Sequence, residues 1–371
     1  MFGRKFGLVM TAMAVALMGG IPATAAPAPT PGALIRAIPQ PAGWRGTAHG
    51  VVLEYWTAGS NGRPVRASGA LLLPNGPLAG RPIVAYDHGT SGLGPGCGQQ
   101  TNPNASPSTQ IDRLLAQGVA VIAPDYIGLG RFATGPHPYL EIRTEATATI
   151  DLVRAARKAR PELSRTWAVM GGSQGGQAAL GTAHLQAAYA PELDFRGTVA
   201  IDPESDVEKI LPLAGPYFPH LPKPFHNMFF IAETLVGLRG ARPVLNVDSY
   251  LSPRGKAALD DIQTACQDQI SRRLTGLSLG DLLSRPLGDS NFRSTLSEYL
   301  AVPTSGYTAP ILLLVNATDL TVPSPLHGTL IAQLAANGVD FQTVAGTGRH
   351  VEISPGMQQA MDAFFARILR A

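Results

Sequence analysis

Trp167-Ala168-Val169-Met170-Gly171-Gly172-Ser173-Gln174-Gly175-Gly176 is the stretch that decides the fold. Its four leading residues read as a short buried strand, and the small residues from 174 to about 188 read as a helix. Between them lies G-x-S-x-G. In a strand–turn–helix context this pattern is a nucleophile elbow, a turn so sharp that the residues around the serine must lack bulk. Gly171 and Gly175 supply the clearance, with Gly172 and Gly176 beside them. Such a turn lifts the Ser173 hydroxyl above the sheet edge and aims the first helical N–H groups at whatever it attacks. The plainer alternative is a glycine-rich turn with an incidental serine.

Upstream, residues 51–56 and 67–73 read as two strands joined through the turn signal Asn61-Gly62. Residues 83–86 and 119–123 are apolar runs of buried-strand type, separated by a Gly/Pro/Asn-rich loop over 89–108 and a helix over 109–116. Residues 144–159 form an amphipathic helix with Ala148, Ile150, Leu152 and Val153 on its apolar side. Downstream, 198–201 is the next strand. The alternation then lapses over about 203–307, which reads as helices broken by Pro and Gly, with a stripe of large apolar residues over 224–238. It resumes with a strand over 311–315, a helix over 326–336, a strand over 341–344 and a last helix opened by Ser354-Pro355. A hairpin followed by β-α-β units predicts an α/β fold with a mostly parallel sheet flanked by helices. An elbow after the fifth strand and a helical insertion after the sixth make this the α/β-hydrolase plan. The predicted organisation is a hydrolase core over 46–202 and 308–371, with a helical cap, or lid, over 203–307.

A serine at its free pKa is a weak nucleophile and needs a base, which in turn needs an orienting acid. In this plan the chain order is Ser, Asp or Glu, then His. Asp319 follows the strand over 311–315 and precedes Val322-Pro323, so it is the candidate acid; Asp202 and Glu204 are its rivals. An Asx-turn or capping role is the structural alternative for Asp319. Of the eight histidines only His350 falls in the loop after the last strand, which makes it the candidate base. Oxyanion donors are expected from the backbone N–H of Gln174 and from the loop after the strand over 83–86. In that loop Thr90 is the chosen residue, with Gly89 and Ser91 as alternatives. His88 reads as loop architecture, and Asp125 as a strand-end residue that holds the following glycine-rich loop.

The 371 residues carry a net charge of +3 without a Lys/Arg cluster, which gives no sign of a nucleic-acid partner. Arg4 and Lys5, an apolar core over 6–18 and Ala23-Thr24-Ala25 make a signal peptide over 1–25 and a secreted or surface-associated product. A Pro/Ala-rich flexible arm is expected over 26–45. Two cysteines in an exported chain, Cys97 and Cys266, read most simply as one disulfide; two separate buried thiols are the alternative. No histidine spacing suggests a metal and no dinucleotide fingerprint is present, so no cofactor is expected.

With Tyr86-Asp87-His88-Gly89-Thr90, Pro124-Asp125-Tyr126-Ile127-Gly128-Leu129-Gly130, His137-Pro138-Tyr139-Leu140 and Gly171-Gly172-Ser173-Gln174-Gly175-Gly176 in place, the chain resembles the secretory lipase family of α/β hydrolases. The resemblance implies a cap-covered enzyme acting on carboxylic esters such as acylglycerols. A lipid–water interface is one setting for such a substrate, and no obligate protein partner is inferred. It implies Ser173 as nucleophile, Asp319 as acid and His350 as base, and a Cys97–Cys266 disulfide between the loop and the cap. An acyltransferase or a polyesterase would use the same triad. A non-catalytic lipid-binding relative is the reading from another class.

Overall fold

The computed structural model describes residues 1–3, 29–40, 50–99, 108–220 and 228–370. The predicted signal peptide falls almost wholly outside them. Among the described residues one sheet holds nine strands in the order β1-β2-β3-β5-β4-β6-β7-β8-β9. These are β1 (Leu34–Gln40), β2 (Gly50–Ala58), β3 (Pro64–Leu72), β4 (Ile83–Asp87), β5 (Ala120–Pro124), β6 (Thr166–Gly172), β7 (Asp194–Ile201), β8 (Ile311–Asn316) and β9 (Phe341–Gly346). The first three pair antiparallel, and β3 pairs antiparallel with β5. From β5 through β4, β6, β7 and β8 to β9 every pairing is parallel. This is the predicted α/β-hydrolase fold.

The helices are α1 (Thr109–Ala116), α2 (Ile142–Ala159), α3 (Gln174–Tyr189), α4 (Val207–Ile210), α5 (Met228–Ala241), α6 (Pro253–Ile262), α7 (Gln267–Arg273), α8 (Leu279–Leu282), α9 (Ser290–Leu300), α10 (Ser324–Ala336) and α11 (Pro355–Ile368). The two-residue period of a strand sends alternate side chains to opposite faces of the sheet. Trp167 and Val169 of β6 pack with Ile150, Leu152 and Val153 of α2, whereas Ala168 and Met170 pack with Met361 and Phe364 of α11. With both faces covered by helices, the central strands are apolar throughout, which is why they read as continuous runs.

Two expectations need correction. The arm expected to be loose contains β1, which pairs with β2 from Leu34 to Gln40. Its side chains are exposed or half-buried, and Pro39 is tolerated because the strand lies at the sheet edge. The extra strand moves the elbow to the end of the sixth strand and the insertion to the end of the seventh; the residues concerned are unchanged. The helix expected from about 224 is described from Met228, residues 221–227 lying outside the described set.

Helices α4–α9 lie between β7 and β8 and enclose a hydrophobic cluster of their own, with Leu235, Leu238, Leu259, Phe292 and Tyr299 fully buried. Several links tie this layer to the sheet domain, among them three through side chains. Cys97 and Cys266 form a disulfide across 169 residues. Arg242, after α5, donates to Glu141 at 2.5 Å. The Gln177 side chain of α3 donates to the Leu300 carbonyl at 2.7 Å.

Candidate active site

Ser173 is the turn itself. Its φ of 58° and ψ of −125° lie outside the ordinary regions for an L-residue, as β6 ends at Gly172 and α3 starts at Gln174. The neighbourhood forces this. A Cβ on Gly175 would overlap the carbonyl oxygen of Asp87, and one on Gly171 would lie 2.7 Å from the same atom. The Ser173 N–H donates to the Ile201 carbonyl of β7 at 2.9 Å, and its carbonyl accepts from Gly176 and Gln177. Strained backbone gathers around it: Tyr126, Leu140, Asp202 and Val351 also have positive φ. Each such residue costs about 1–3 kcal/mol and persists only where its surroundings over-determine it.

Asp319 and His350 come from the loops after β8 and β9, at the same end of the parallel strands as Ser173. The His350 Nδ1 lies 2.6 Å from Asp319 Oδ2. Burial alone would raise the Asp319 pKa, but hydrogen bonds from His327 and His350 overturn this and hold the carboxyl well below its usual range. An ionised carboxylate only accepts, so His350 carries its proton on Nδ1 and presents a lone pair on Nε2. That nitrogen is buried and has no hydrogen-bond partner among the described residues. Burial would lower the His350 pKa; the hydrogen bond and charge of Asp319, with the charges of Glu204 and Asp202, raise it above the ordinary value.

The candidate acid is held from several sides. Asp319 Oδ1 accepts from the Thr321 N–H at 2.8 Å and the Val322 N–H at 3.2 Å, and Oδ2 also receives His327 Nε2 at 3.3 Å. Asp202, a rival acid in the sequence, has a different place. It accepts from the Asn316 N–H and side-chain amide and from the Val351 N–H, each at 2.7 Å. It therefore clamps the acid loop to the base loop. Asp202, Asp319 and His327 have the residue types of a cation site. Their atoms are engaged with one another and with N–H donors instead.

The loop after β4 runs over the nucleophile, since a Cβ on Gly89 would come within 3.8 Å of Ser173 Cβ. Thr90 Oγ1 shares a 2.8 Å hydrogen bond with the Tyr139 hydroxyl. Gln174, directly after Ser173, is fully buried, and its amide nitrogen lies 2.8 Å from His137 Nε2 and 2.7 Å from Glu145 Oε1. His137 Nδ1 donates to the Ile127 carbonyl at 2.9 Å, which leaves Nε2 as acceptor for Gln174. Burial pushes the His137 pKa down to about 3, consistent with a neutral ring, and pushes Glu145 up to about 8. The His137-Pro138-Tyr139-Leu140 motif thus steadies both candidate oxyanion residues, Tyr139 from one side and His137 from the other. His88 hydrogen-bonds its neighbour's carbonyl and packs on Tyr126, as loop architecture. Asp125 accepts from Ser68 at 2.7 Å beside the glycine-rich loop.

Beside the dyad, between the cap and the acid loop, is an apolar cavity of about 240 Å³. Met228, Phe230, Ile231 and Thr234 of α5 line it, as do Leu320 and Val322 from the acid loop. Leu235, Val236 and Leu238 of the same helix point into the cap core. One apolar stripe of the sequence therefore both lines the cavity and packs the cap core.

The model of the secretory lipase family matches residues 101–284, a span that includes the elbow and most of the cap. The chain is similar to the secretory lipases over that span, on an α/β-hydrolase fold. Among solved structures it superposes on Candida antarctica lipase A with a TM-score of 0.71 at 19% identity, covering 92% of this chain and 84% of that one. It superposes on a ligand-bound form of the rice cell wall degrading esterase LipA from Xanthomonas oryzae with a TM-score of 0.67 at 22% identity, over 86% of this chain and 92% of that one. At these identities the structures share the fold. A search of curated proteins finds no match to this sequence.

His327, Glu145 and Asn316 were not singled out from the sequence. Each is a polar residue inside a helix or strand whose partner lies on another element, and nothing local marks it.

Proposed function

We propose that this lipase/esterase-type hydrolase is a secreted serine carboxylesterase that cleaves carboxylic esters, acylglycerols among them, through an acyl-enzyme on Ser173. The observation that carries the reading is the Asp319–His350 hydrogen bond at the strand ends where the strained elbow presents Ser173. His350 Nε2 takes the Ser173 proton as Oγ attacks the ester carbonyl. Asp319 keeps the imidazole in the required tautomer and stabilises its positive charge. Negative charge on the carbonyl oxygen meets the backbone N–H of Gln174 and a second N–H from the Gly89–Ser91 turn, with Thr90 as our assignment. Collapse expels the alcohol, which takes the proton from His350. Water then repeats the sequence and releases the acid.

The apolar cavity beside the dyad is our candidate for the acyl chain. A cap packed over the strand ends favours discrete esters over polymers, which need an open groove. Secretion is supported by the Cys97–Cys266 disulfide, by the family match and by the N-terminal pattern. No described helix is long and apolar enough to cross a membrane. The reading is tested with p-nitrophenyl esters from acetate to palmitate, wild type beside Ser173→Ala. Hydrolysis in the wild type, lost in the variant, is expected; equal activity in both would refute the mechanism.

A further inference from the structure

One group in the acyl cavity is out of keeping with the rest. Among the described lining residues Glu204 is the one titratable side chain, set among Leu140, Val207, Met228, Ile231 and Val322. It is 7% exposed, and no side-chain hydrogen bond is found for it among the described residues. Its backbone N–H donates to the Ser173 carbonyl at 3.3 Å, which ties this part of the cavity wall to the elbow. A buried carboxyl without a partner stabilises nothing by itself, because burial disfavours its charged form. Its place in the cavity calls for a role in what the cavity accepts.

We propose that Glu204 sets the chain-length selectivity of the enzyme: its ionised form disfavours a long apolar acyl chain in the cavity, and its protonated form admits one. This rests on the ester-hydrolase reading and on the cavity as the acyl site. A long chain laid across Glu204 strips the remaining water from its carboxyl. That costs much more for a carboxylate than for the neutral acid. A short acyl group stops before the cavity and leaves the carboxyl as it is.

The groups facing Glu204 allow the switch to fall in the working range. His350 and Asp319 act on it from the loops after β9 and β8, and Tyr139 faces both Glu204 and Glu233 of α5. Asp206, on the same loop as Glu204, is tied to Lys209 and Gln333. Burial raises the Glu204 pKa, His350 opposes this and Asp319 adds to it, leaving it at about 7.

The experiment is kcat/KM for p-nitrophenyl decanoate and butyrate from pH 5.5 to 8.5, read as the decanoate-to-butyrate ratio. Both esters use the same triad, so the titration of His350 and any loss of folded enzyme cancel in the ratio. In the wild type the ratio should fall by about tenfold or more with rising pH, as desolvation of a carboxylate requires. In Glu204→Gln it should stay flat at the wild-type acid-limit value. In Glu204→Leu, which keeps the test available if the Gln variant misfolds, it should be flat and at least as high. A flat wild-type ratio, or a fall that persists in either variant, overturns the proposal while leaving the hydrolase reading intact. Failure of the wild type to cleave either ester overturns both.

Discussion

At the elbow, β6 and α3 meet with Gly175 pressed against the Asp87 carbonyl; in the cap, α5 turns Leu235 and Leu238 into its core and Phe230 and Ile231 toward the cavity. The first region is fixed by backbone. Its turn admits no added methyl, and its loops are held by carboxylates that accept three or four N–H bonds apiece. The second is fixed by packed side chains, and such cores tolerate changes that conserve volume. The difference separates their tasks: reacting atoms need fixed positions, whereas an acyl chain needs apolar volume of the right shape. Chemistry should therefore respond to changes in the sheet domain, and substrate scope to changes in the cap.

The largest expected effect breaks the comparison on the sheet side. Asp319→Asn should lower kcat by about 10⁴-fold, since the imidazole then takes the wrong tautomer. Gly175→Ala comes next. The new Cβ would collide with backbone, so the elbow must shift, at a cost of about 3 kcal/mol or more in denaturant unfolding. If that variant kept wild-type stability and rate, the elbow would be looser than its contacts require.

Cys266→Ser sharpens the comparison at the seam. Removing a native disulfide costs about 2–5 kcal/mol, and the cap should loosen before the sheet does. The same seam carries Leu93 N–H to the Ala265 carbonyl at 2.9 Å and Gln267 N–H to the Ser91 carbonyl at 3.0 Å. The loop over Ser173 is thus anchored partly on the cap, and the variant should also lose several-fold in kcat, by the sensitivity of rate to small misplacement. Hydrogen exchange that showed cap and sheet opening together would contradict the order.

The smallest effect is in pH. The base must be neutral to act. With its pKa raised in the fold, the acid limb of kcat/KM for a short ester should lie above the ordinary histidine value of about 6.5. Activity rises as pH climbs through that limb. Glu204→Gln removes one of the charges that raise it and should move the limb to lower pH.

The sheet domain was legible because its signals are local. Strand ends, helix caps and the elbow glycines each announce themselves within a few residues, and β4 through β9 lie where the apolar runs predict. The first strand was hidden because an edge strand needs apolar contact on neither face, and Leu34–Gln40 sits in proline-rich surroundings. In the cap, helices could be counted but not packed, since periodicity does not say which face of α5 meets the cavity. At the site, the candidates Ser173, Asp319 and His350 follow from chain order. His327 does not, because its contact with Asp319 spans a helix turn and a loop; nor do Glu145 and His137, whose meeting point is the Gln174 side chain.

The central claim is that Ser173 is a nucleophile activated by His350, and covalent labelling tests it most directly. The wild type, Ser173→Ala and His350→Ala would be exposed to diethyl p-nitrophenyl phosphate and their adducts mapped by peptide mass spectrometry. The account predicts one diethylphosphoryl group on Ser173, none in Ser173→Ala, and labelling slowed by orders of magnitude in His350→Ala. A label on another residue, or equal labelling of Ser173 without His350, would contradict it.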